Sequence, residues 1–361
     1  MRRVHLIYPH GEAISAPNSI GRHLGNGLKE RYQVVYHDIQ ESGSIDPNDN
    51  DVLLGHSWPT MSLFERSCKK RGWKRVILMQ PYCHGDYLAE LDAYVDRFIN
   101  YCDLFLAITG SYWFKDISNS KFKHWLPKMR HLDLAVDRND FPPIKTTFNP
   151  PGKRRFVYIG HNNKCKNTPY LSEIARQLPE TEFAWIGMKK GLPGLKMLGR
   201  LDFATESARE CLAQYDFMLT VGLADGNPTT ILEAMACGLV PVCTPESGYA
   251  GYPGIPNVLL NNTKEAVEVL NILQYMPEEK LRVYQQLNWN ALETHFNWKR
   301  FSEDVIDAIE SNQTPACLPV TKTHRLSLLL TSFRHPRFDS WPFPRILYRK
   351  SRNFIYKYFA R

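Results

Sequence analysis

Several features that mark other protein classes are missing from the sequence. No apolar run approaches the roughly 20 residues of a membrane-spanning helix, and no internal repeat or low-complexity tract occurs. The eight cysteines are scattered and form no C-x-x-C pair, which argues against a zinc site and against a disulfide framework. We therefore expect buried free thiols in a reducing cytoplasm. The opening MRRVHLIYPH lacks the apolar core of a signal peptide, so residues 4–8 are expected to form a first buried strand.

The composition is that of a globular protein large enough for two domains. The chain has 361 residues, of which 43% are hydrophobic and 23% are charged. The net charge of +8 is unevenly placed, because residues 319–361 hold ten Lys or Arg and one acid. The rest of the chain is nearly neutral, so the basic excess belongs to the C-terminal tail.

Residues 221–244, VGLADGNPTTILEAMACGLVPVCT, are the stretch around which the chain is organised. The pattern predicts the end of a strand, a glycine-bearing loop, a helix over residues 229–237 and a second buried strand. Asn227 stands at the expected N-cap of the helix and Pro228 at its first position. Gly238 is the expected C-terminal stop.

Two acids flank the predicted start of this helix. Asp225 lies in the preceding loop, and Glu233 lies eight positions later, inside the helix. Free backbone N–H groups at a helix start hold anions such as a diphosphate. A carboxylate beside that anion would be repelled unless it accepts hydrogen bonds from hydroxyl groups. The arrangement therefore predicts a ligand that carries both phosphates and hydroxyls, as a nucleotide sugar does.

Residues 225–238, DGNPTTILEAMACG, resemble the E-x7-E signature of glycosyltransferase family 4, whose members are retaining enzymes of GT-B fold. The resemblance implies that Glu233 holds the ribose hydroxyls of the donor. It implies that Asp225, which replaces the usual Glu, contacts the donor sugar. The loop and helix start around Asn227, Thr229 and Thr230 would hold the diphosphate.

A second stretch is similar to the same family. After a predicted strand at residues 155–159, the sequence GHNNKCKN occupies the place of the family's G-R-x4-K-G. Gly160 and Lys166 match, while His161 stands in place of the Arg and Asn167 in place of the second Gly. The resemblance implies that Lys166, with His161, binds the diphosphate and stabilises charge on the leaving group. A lysine in a polar loop is otherwise an ordinary solvated side chain, and that interpretation stays open.

His84 is the candidate in the first half of the chain. It follows a predicted buried strand and precedes a helix, so it lies at the carboxyl end of a strand, where open α/β sheets bind ligands. The order of strand, histidine, aspartate and helix is similar to that around the family's N-terminal catalytic histidine, which lies near the donor sugar. The alternative is a histidine that only packs its loop. His56 and His10, at other strand ends, are weaker candidates.

Alternation of strands and helices predicts an α/β protein with parallel, doubly wound sheets. Together with the resemblance it predicts GT-B architecture, with two Rossmann-like domains that face a cleft. The expected parts are an acceptor-side domain, a nucleotide-sugar-binding domain, a crossover helix and a basic aromatic tail, at residues 1–145, 153–295, 296–317 and 318–361.

The tail interleaves basic residues with nine aromatic ones over residues 318–361. This mixture favours an anionic membrane surface, because aromatic rings prefer the interface and Lys and Arg attract headgroups. The alternative is an arm that docks on the body, and nucleic acid is an unlikely partner.

The sequence thus predicts a retaining glycosyltransferase that moves a sugar from a nucleotide-diphosphate donor to a glycan or lipid-linked acceptor, in cell-surface polysaccharide biosynthesis. We expect it in the cytoplasm, as a peripheral protein of the membrane's inner face, with neither a cofactor nor a metal. A GT-B nucleotide-sugar epimerase and a non-catalytic nucleotide-sugar-binding module are the alternatives.

Overall fold

A computed structural model describes residues 1–11, 15–57, 63–84, 95–96, 98–187, 191–203 and 205–312. The predicted tail at residues 318–361 lies outside the described residues. Within the described part, no helix is both long and apolar enough to cross a membrane.

The first half of the chain forms a six-stranded parallel sheet with the order β2-β1-β3-β4-β5-β6. Its strands are β1 (Arg3–Ile7), β2 (Gln33–His37), β3 (Val52–Gly55), β4 (Arg75–Pro81), β5 (Leu104–Ile108) and β6 (Met129–Leu132). The middle strands are apolar on both faces. In β4, Ile77 and Met79 enter one apolar cluster, and Val76 and Leu78 enter the cluster on the opposite face. Such strands require helices on both sides of the sheet.

The second half forms a five-stranded parallel sheet with the order β11-β10-β7-β8-β9. Its strands are β7 (Phe156–Ile159), β8 (Phe183–Ile186), β9 (Lys196–Gly199), β10 (Phe217–Thr220) and β11 (Val240–Cys243). In both sheets the chain first builds outward in one direction and then returns to the other side of its first strand. Both sheets are therefore doubly wound, as predicted.

The described α-helices are α1 (Ala16–Lys29), α2 (Leu63–Cys68), α3 (Ser111–Asp116), α4 (Thr168–Gln177), α5 (Glu206–Ala213), α6 (Thr229–Cys237), α7 (Thr263–Gln274), α8 (Glu278–Thr294) and α9 (Trp298–Glu310). The last of them returns to the first domain, where it packs on α1. Arg75 donates to the carbonyl of Ala308 at 3.0 Å, and the hydroxyl of Tyr32 donates to Glu310. The chain therefore crosses twice between its two sheets.

Several local predictions differ from the structure. Helix α1 begins at Ala16 with Ser15 as its N-cap, because the Ser15 side chain accepts from the N–H of Asn18. The sequence predicts a helix from Ser19 to about Arg31, with Asn18 or Ser19 as the cap. Strands β6 and β9 were not predicted at all. Each is a four-residue strand at the edge of its sheet. Polar residues that are not buried, Arg130 and His131 in β6 and Lys196 in β9, weaken the apolar pattern that reveals a strand.

Candidate functional site

The second sheet reverses its strand order between β7 and β10. Strand β7 pairs with β8 on one side and with β10 on the other. The loops that follow these two strands, residues 160–167 and 221–228, both lie at the carboxyl edge of the sheet. A doubly wound sheet opens a crevice at that point, and ligands bind there. The motif at residues 160–167 lies on one of these loops, and the motif at residues 225–238 begins on the other loop and continues through helix α6.

The loop after β7 is fixed by a hydrogen bond from a neighbouring strand and by a special backbone conformation at its end. The indole N–H of Trp185 donates to the carbonyl of Gly160 at 2.9 Å. Asn167 has φ 51° and ψ 38°, a left-handed conformation. Glycine and asparagine adopt that conformation more readily than other residues. This explains why Asn167 can stand where the resembled motif has a glycine.

The two loops are joined by one backbone hydrogen bond and one ion pair. The N–H of Leu223 donates to the carbonyl of Cys165 at 2.7 Å. Beside this bond, the ammonium group of Lys166 contacts a carboxylate oxygen of Asp225. The side chains of Lys166 and Asp225 are 22% and 19% exposed, so both are partly shielded but reach solvent. Lys166 and Asp225, 59 positions apart in the chain, therefore meet in the crevice.

The start of helix α6 differs from the prediction. Pro228 is the N-cap, with φ −64° and ψ 124°, and Thr229 is the first helical residue. The prediction of Asn227 as N-cap and Pro228 as first helical residue is therefore wrong. The carboxamide oxygen of Asn227 is occupied elsewhere, because it accepts from the backbone N–H of Leu134 at 2.7 Å. Asn227 is buried and ties the loop to the segment that leaves the first domain.

Among the described residues, no side chain caps the α6 helix start. Thr229 and Thr230, in its first turn, are half-buried beside the crevice loops. The first backbone N–H groups of this helix therefore remain suitable for an anion.

Glu233 lies on the second turn of α6 and is half-buried. Burial raises the pKa of Glu233 to about 7, although a hydrogen bond from Thr229 acts in the opposite direction. A carboxyl group with this pKa is poised to ionise when hydroxyl donors replace the missing solvation.

The first domain presents His84 to this region in a fixed orientation. One ring nitrogen lies 2.8 Å from the carboxylate of Asp116, and the other lies 3.1 Å from the hydroxyl of Tyr82. The ring also packs edge-on against Trp113, at 4.9 Å between ring centroids. The hydrogen bond to His84 helps to lower the pKa of Asp116. These contacts orient the imidazole.

Trp113 links this histidine to the second domain. Its indole N–H donates to the carbonyls of Asp225 at 3.0 Å and Glu246 at 3.1 Å. His84 is therefore connected to Asp225 through a single tryptophan. Trp113 was missed by sequence reasoning, because nothing local in the sequence marks a contact between two domains.

The two domains touch through backbone at Gly226. The N–H of Gly110 donates to the carbonyl of Gly226 at 2.6 Å. A Cβ atom on Gly226 would lie 2.6 Å from the carbonyl oxygen of Tyr82, which is closer than real Cβ atoms approach. Glycine at position 226 thus allows the loop that carries Asp225 to lie directly against the first domain.

Glu246 is a second residue that sequence reasoning missed. Its carbonyl accepts from the N–H of Asp225 at 3.0 Å, and its carboxylate lies 3.5 Å from the hydroxyl of Tyr112. Its other carboxylate oxygen is buried without a hydrogen-bond partner among the described residues. Burial raises the pKa of Glu246. Glu246 follows β11 at the same edge of the sheet, and this position could have identified it as a candidate from the sequence.

The remaining candidate histidines have no described contact with the Lys166–Asp225 pair. His161 is exposed, and only its carbonyl has a described partner, the hydroxyl of Tyr158 at 2.9 Å. His10 stacks on Tyr36, and His56 packs edge-on against Tyr8 in the first domain. Burial lowers the pKa of His56 to about 4, so its ring is neutral at physiological pH.

One group of described residues has the donor types of a metal site. Ligand atoms of His23, Asp137 and Asp140 lie within 4.8 Å of one another. Arg22 already pairs with Asp140 at 2.9 Å, and His23 stacks on Trp298. We interpret this group as a set of ion pairs between α1 and the segment that leaves the first domain.

No family model matches the sequence, and a search of curated proteins finds no match either. Solved structures, however, have the same architecture. A sucrose-phosphate synthase from Thermosynechococcus elongatus is 11% identical, with a TM-score of 0.64 over 85% of this chain and 98% of that chain. A glycosyltransferase from Rickettsia africae ESF-5 is 10% identical, with a TM-score of 0.59 over 86% and 99%.

An α-glucosyltransferase, solved in complex with UDP-glucose and DNA containing an abasic site, is 12% identical. Its TM-score is 0.57 over 86% of this chain and 99% of that chain. These similarities extend over almost the full length of the three known structures, so they include both domains and their connection. The fold predicted from the sequence is confirmed: the chain has the GT-B fold of glycosyltransferases, with two Rossmann-like domains.

Proposed function

We propose that the protein is a retaining glycosyltransferase that transfers a sugar from a nucleotide-diphosphate donor to a glycan or lipid-linked acceptor. One observation carries the proposal. Lys166, Asp225 and the uncapped start of the helix that bears Glu233 lie together at the strand reversal of the second sheet. The combination of a cation, free backbone N–H groups and carboxylates suits a ligand with both phosphates and hydroxyls.

The donor would lie with its nucleotide on the second domain. Glu233 would accept hydrogen bonds from the ribose, while Lys166 and the first N–H groups of α6 would hold the diphosphate. His84 and Asp225 would face the sugar, because Trp113 joins the segments that carry them. The α-glucosyltransferase solved with UDP-glucose supports a donor of this class.

The proposed role of Lys166 and the helix start follows from the place where negative charge develops during sugar transfer. As the bond between sugar and diphosphate breaks, negative charge grows on the leaving phosphate. A prepositioned lysine and helix start stabilise that charge more in the transition state than in the ground state. The proposed reaction requires neither a cofactor nor a divalent ion. We further propose retention of configuration at the anomeric carbon, without a covalent protein nucleophile.

The acceptor is proposed to be a carbohydrate in cell-surface polysaccharide biosynthesis. Outside residues 319–361 the chain is nearly neutral, which favours a glycan over a nucleic acid as partner. The basic and aromatic residues of 318–361 would hold the enzyme at the inner face of an anionic membrane, near a lipid-linked acceptor.

Binding and turnover of nucleotide sugars test the proposal directly. A panel of UDP-, GDP-, ADP-, CDP- and dTDP-sugars is first scored by thermal shift, since a bound ligand stabilises the folded state. The donor that binds is then incubated with and without acceptor glycans. Transfer or slow hydrolysis supports the proposal. Release of an altered free nucleotide sugar would identify an epimerase, and binding without any turnover would identify a binding module.

Lys166→Ala is the corresponding variant. We expect turnover to fall by about a hundredfold or more, because it removes a cation aimed at the leaving group. Lys196→Ala, on the exposed edge strand β9, is the matched control and should leave turnover unchanged. Near-normal turnover of Lys166→Ala, with an unchanged thermal midpoint, would contradict the assignment.

A further inference from the structure

The proposed phosphate-binding lysine is already paired with a carboxylate. The ammonium group of Lys166 contacts Asp225, and both side chains are about one-fifth exposed. The contact is built into the fold, because the hydrogen bond from Leu223 to Cys165 joins the two loops immediately beside it. A diphosphate that binds Lys166 must therefore compete with Asp225.

The two partners differ in mobility. The backbone of Asp225 is held on both sides, because its N–H donates to Glu246 at 3.0 Å and its carbonyl accepts from Trp113 at 3.0 Å. Asp225 has a short side chain and cannot follow a lysine that moves away. Lys166 carries its charge on a flexible four-carbon stem and can turn towards a phosphate.

When Lys166 turns towards a phosphate, the carboxylate of Asp225 needs new hydrogen-bond partners. Burial raises the pKa values of Tyr158 and Cys165, and the nearby charge of Asp225 adds to the increase at both side chains. Next to a diphosphate, the unpaired carboxylate of Asp225 would meet like charge, which costs free energy. Hydroxyl groups of a donor sugar would offset this cost by donating hydrogen bonds to the carboxylate.

From this geometry we propose that Asp225 discriminates between the donor and the nucleoside diphosphate product by competing for Lys166. The inference rests on the proposed function. When a nucleotide sugar binds, Lys166 passes from Asp225 to the diphosphate, and Asp225 accepts from the sugar. After transfer the product carries no sugar, so Asp225 has no partner other than Lys166. The renewed competition weakens product binding and promotes product release.

Replacement of the carboxylate tests this competition. Asp225→Asn should bind the nucleoside diphosphate roughly tenfold more tightly than the unmodified protein, an effect between those of exposed and buried ion pairs. Its affinity for the nucleotide sugar should change less, because a carboxamide loses part of the contact with the sugar. The ratio of donor to product affinity should therefore fall. Asp225→Glu, which retains the carboxylate, is the control and should restore most of the discrimination.

Replacement of Lys166 completes a double-mutant cycle. Lys166→Met should weaken nucleoside diphosphate binding. In the Lys166→Met background Asp225→Asn should add clearly less than it does alone, because only the like-charge repulsion, and no competition for the lysine, remains to be relieved. Titration calorimetry on the full chain gives each of these affinities. Unchanged or weaker product binding by Asp225→Asn alone would overturn the inference, as would the same gain in the Lys166→Met background.

Inorganic pyrophosphate separates this inference from the proposed function. It is the anion without nucleoside or sugar, so Asp225→Asn should bind it more tightly whatever the natural nucleotide is. If no nucleotide binds but this gain appears, the proposed function fails and the competition at Lys166 stands. If nucleotides bind normally and Asp225→Asn gains nothing for either probe, the inference fails and the proposed function stands.

Discussion

Glu233→Gln should change the pH dependence of stability in a defined direction. Burial raises the pKa of Glu233 to about 7 from an ordinary value of 4.5. The folded state therefore holds this proton more tightly than the unfolded state does. The resulting stabilisation is complete below pH 4.5 and is lost as the pH rises through 7. Glutamine has no proton to lose and removes this dependence.

The magnitude follows from the two pKa values. A difference from 4.5 to about 7 corresponds to roughly 3 kcal/mol between fully protonated and fully ionised protein. Between pH 5 and pH 8, the unmodified protein should lose about 2 to 3 kcal/mol of unfolding free energy relative to Glu233→Gln. Other titrating groups are common to both proteins, so they cancel in this comparison.

Urea denaturation of both proteins at pH 5, 6.5 and 8 measures the effect. Glu303→Gln is the control, since Glu303 is an exposed glutamate on α9 and should show no such trend. A difference between the unmodified protein and Glu233→Gln that stays constant from pH 5 to pH 8 would refute the raised pKa of Glu233. A difference with the opposite slope would refute it as well.

Two further predictions concern the first domain and its contact with the second. Gly226→Ala places a methyl group 2.6 Å from the carbonyl oxygen of Tyr82. It should destabilise the domain contact by about 1 to 3 kcal/mol and lower donor turnover; unchanged turnover and urea midpoint would contradict the close approach. Burial lowers the pKa of His56 to about 4, so the unfolded state binds protons more readily below about pH 6.5. Acidification from pH 7 to pH 5 should therefore cost about 2 kcal/mol through His56, and His56→Gln should show a correspondingly shallower loss in urea denaturation.

Local pattern was sufficient to predict the doubly wound parallel sheets and the strand–helix–strand order around α6, whereas the GT-B architecture was predicted from the family resemblance as well. The strand before it, the helix ending at Gly238 and the strand after it are all marked by apolar runs and turn residues. The strands that were missed, β6 and β9, lie at sheet edges, where partial exposure weakens the pattern.

The contacts within the site join residues that are far apart in the chain, and the sequence predicts such contacts less well. Motif spacing singled out both Lys166 and Asp225, but nothing in it indicated that the two would contact each other. Asn227 has the residue type of an N-cap, yet an amide 93 positions away binds its side-chain oxygen. The preference of Asn227 for the N-cap position is outweighed by this long-range hydrogen bond, because leaving the buried N–H group of Leu134 without a partner would cost free energy.

The bond between Gly110 and Gly226 has a consequence for domain motion. It is a peptide hydrogen bond between two glycines, which carry no side chains. Exchanging such a bond for bonds to water costs only about 1 kcal/mol. This bond can therefore break at low cost and form again in the same register, and the two hydrogen bonds of the Trp113 indole across the same contact help to rebuild the reactive arrangement when the domains meet again.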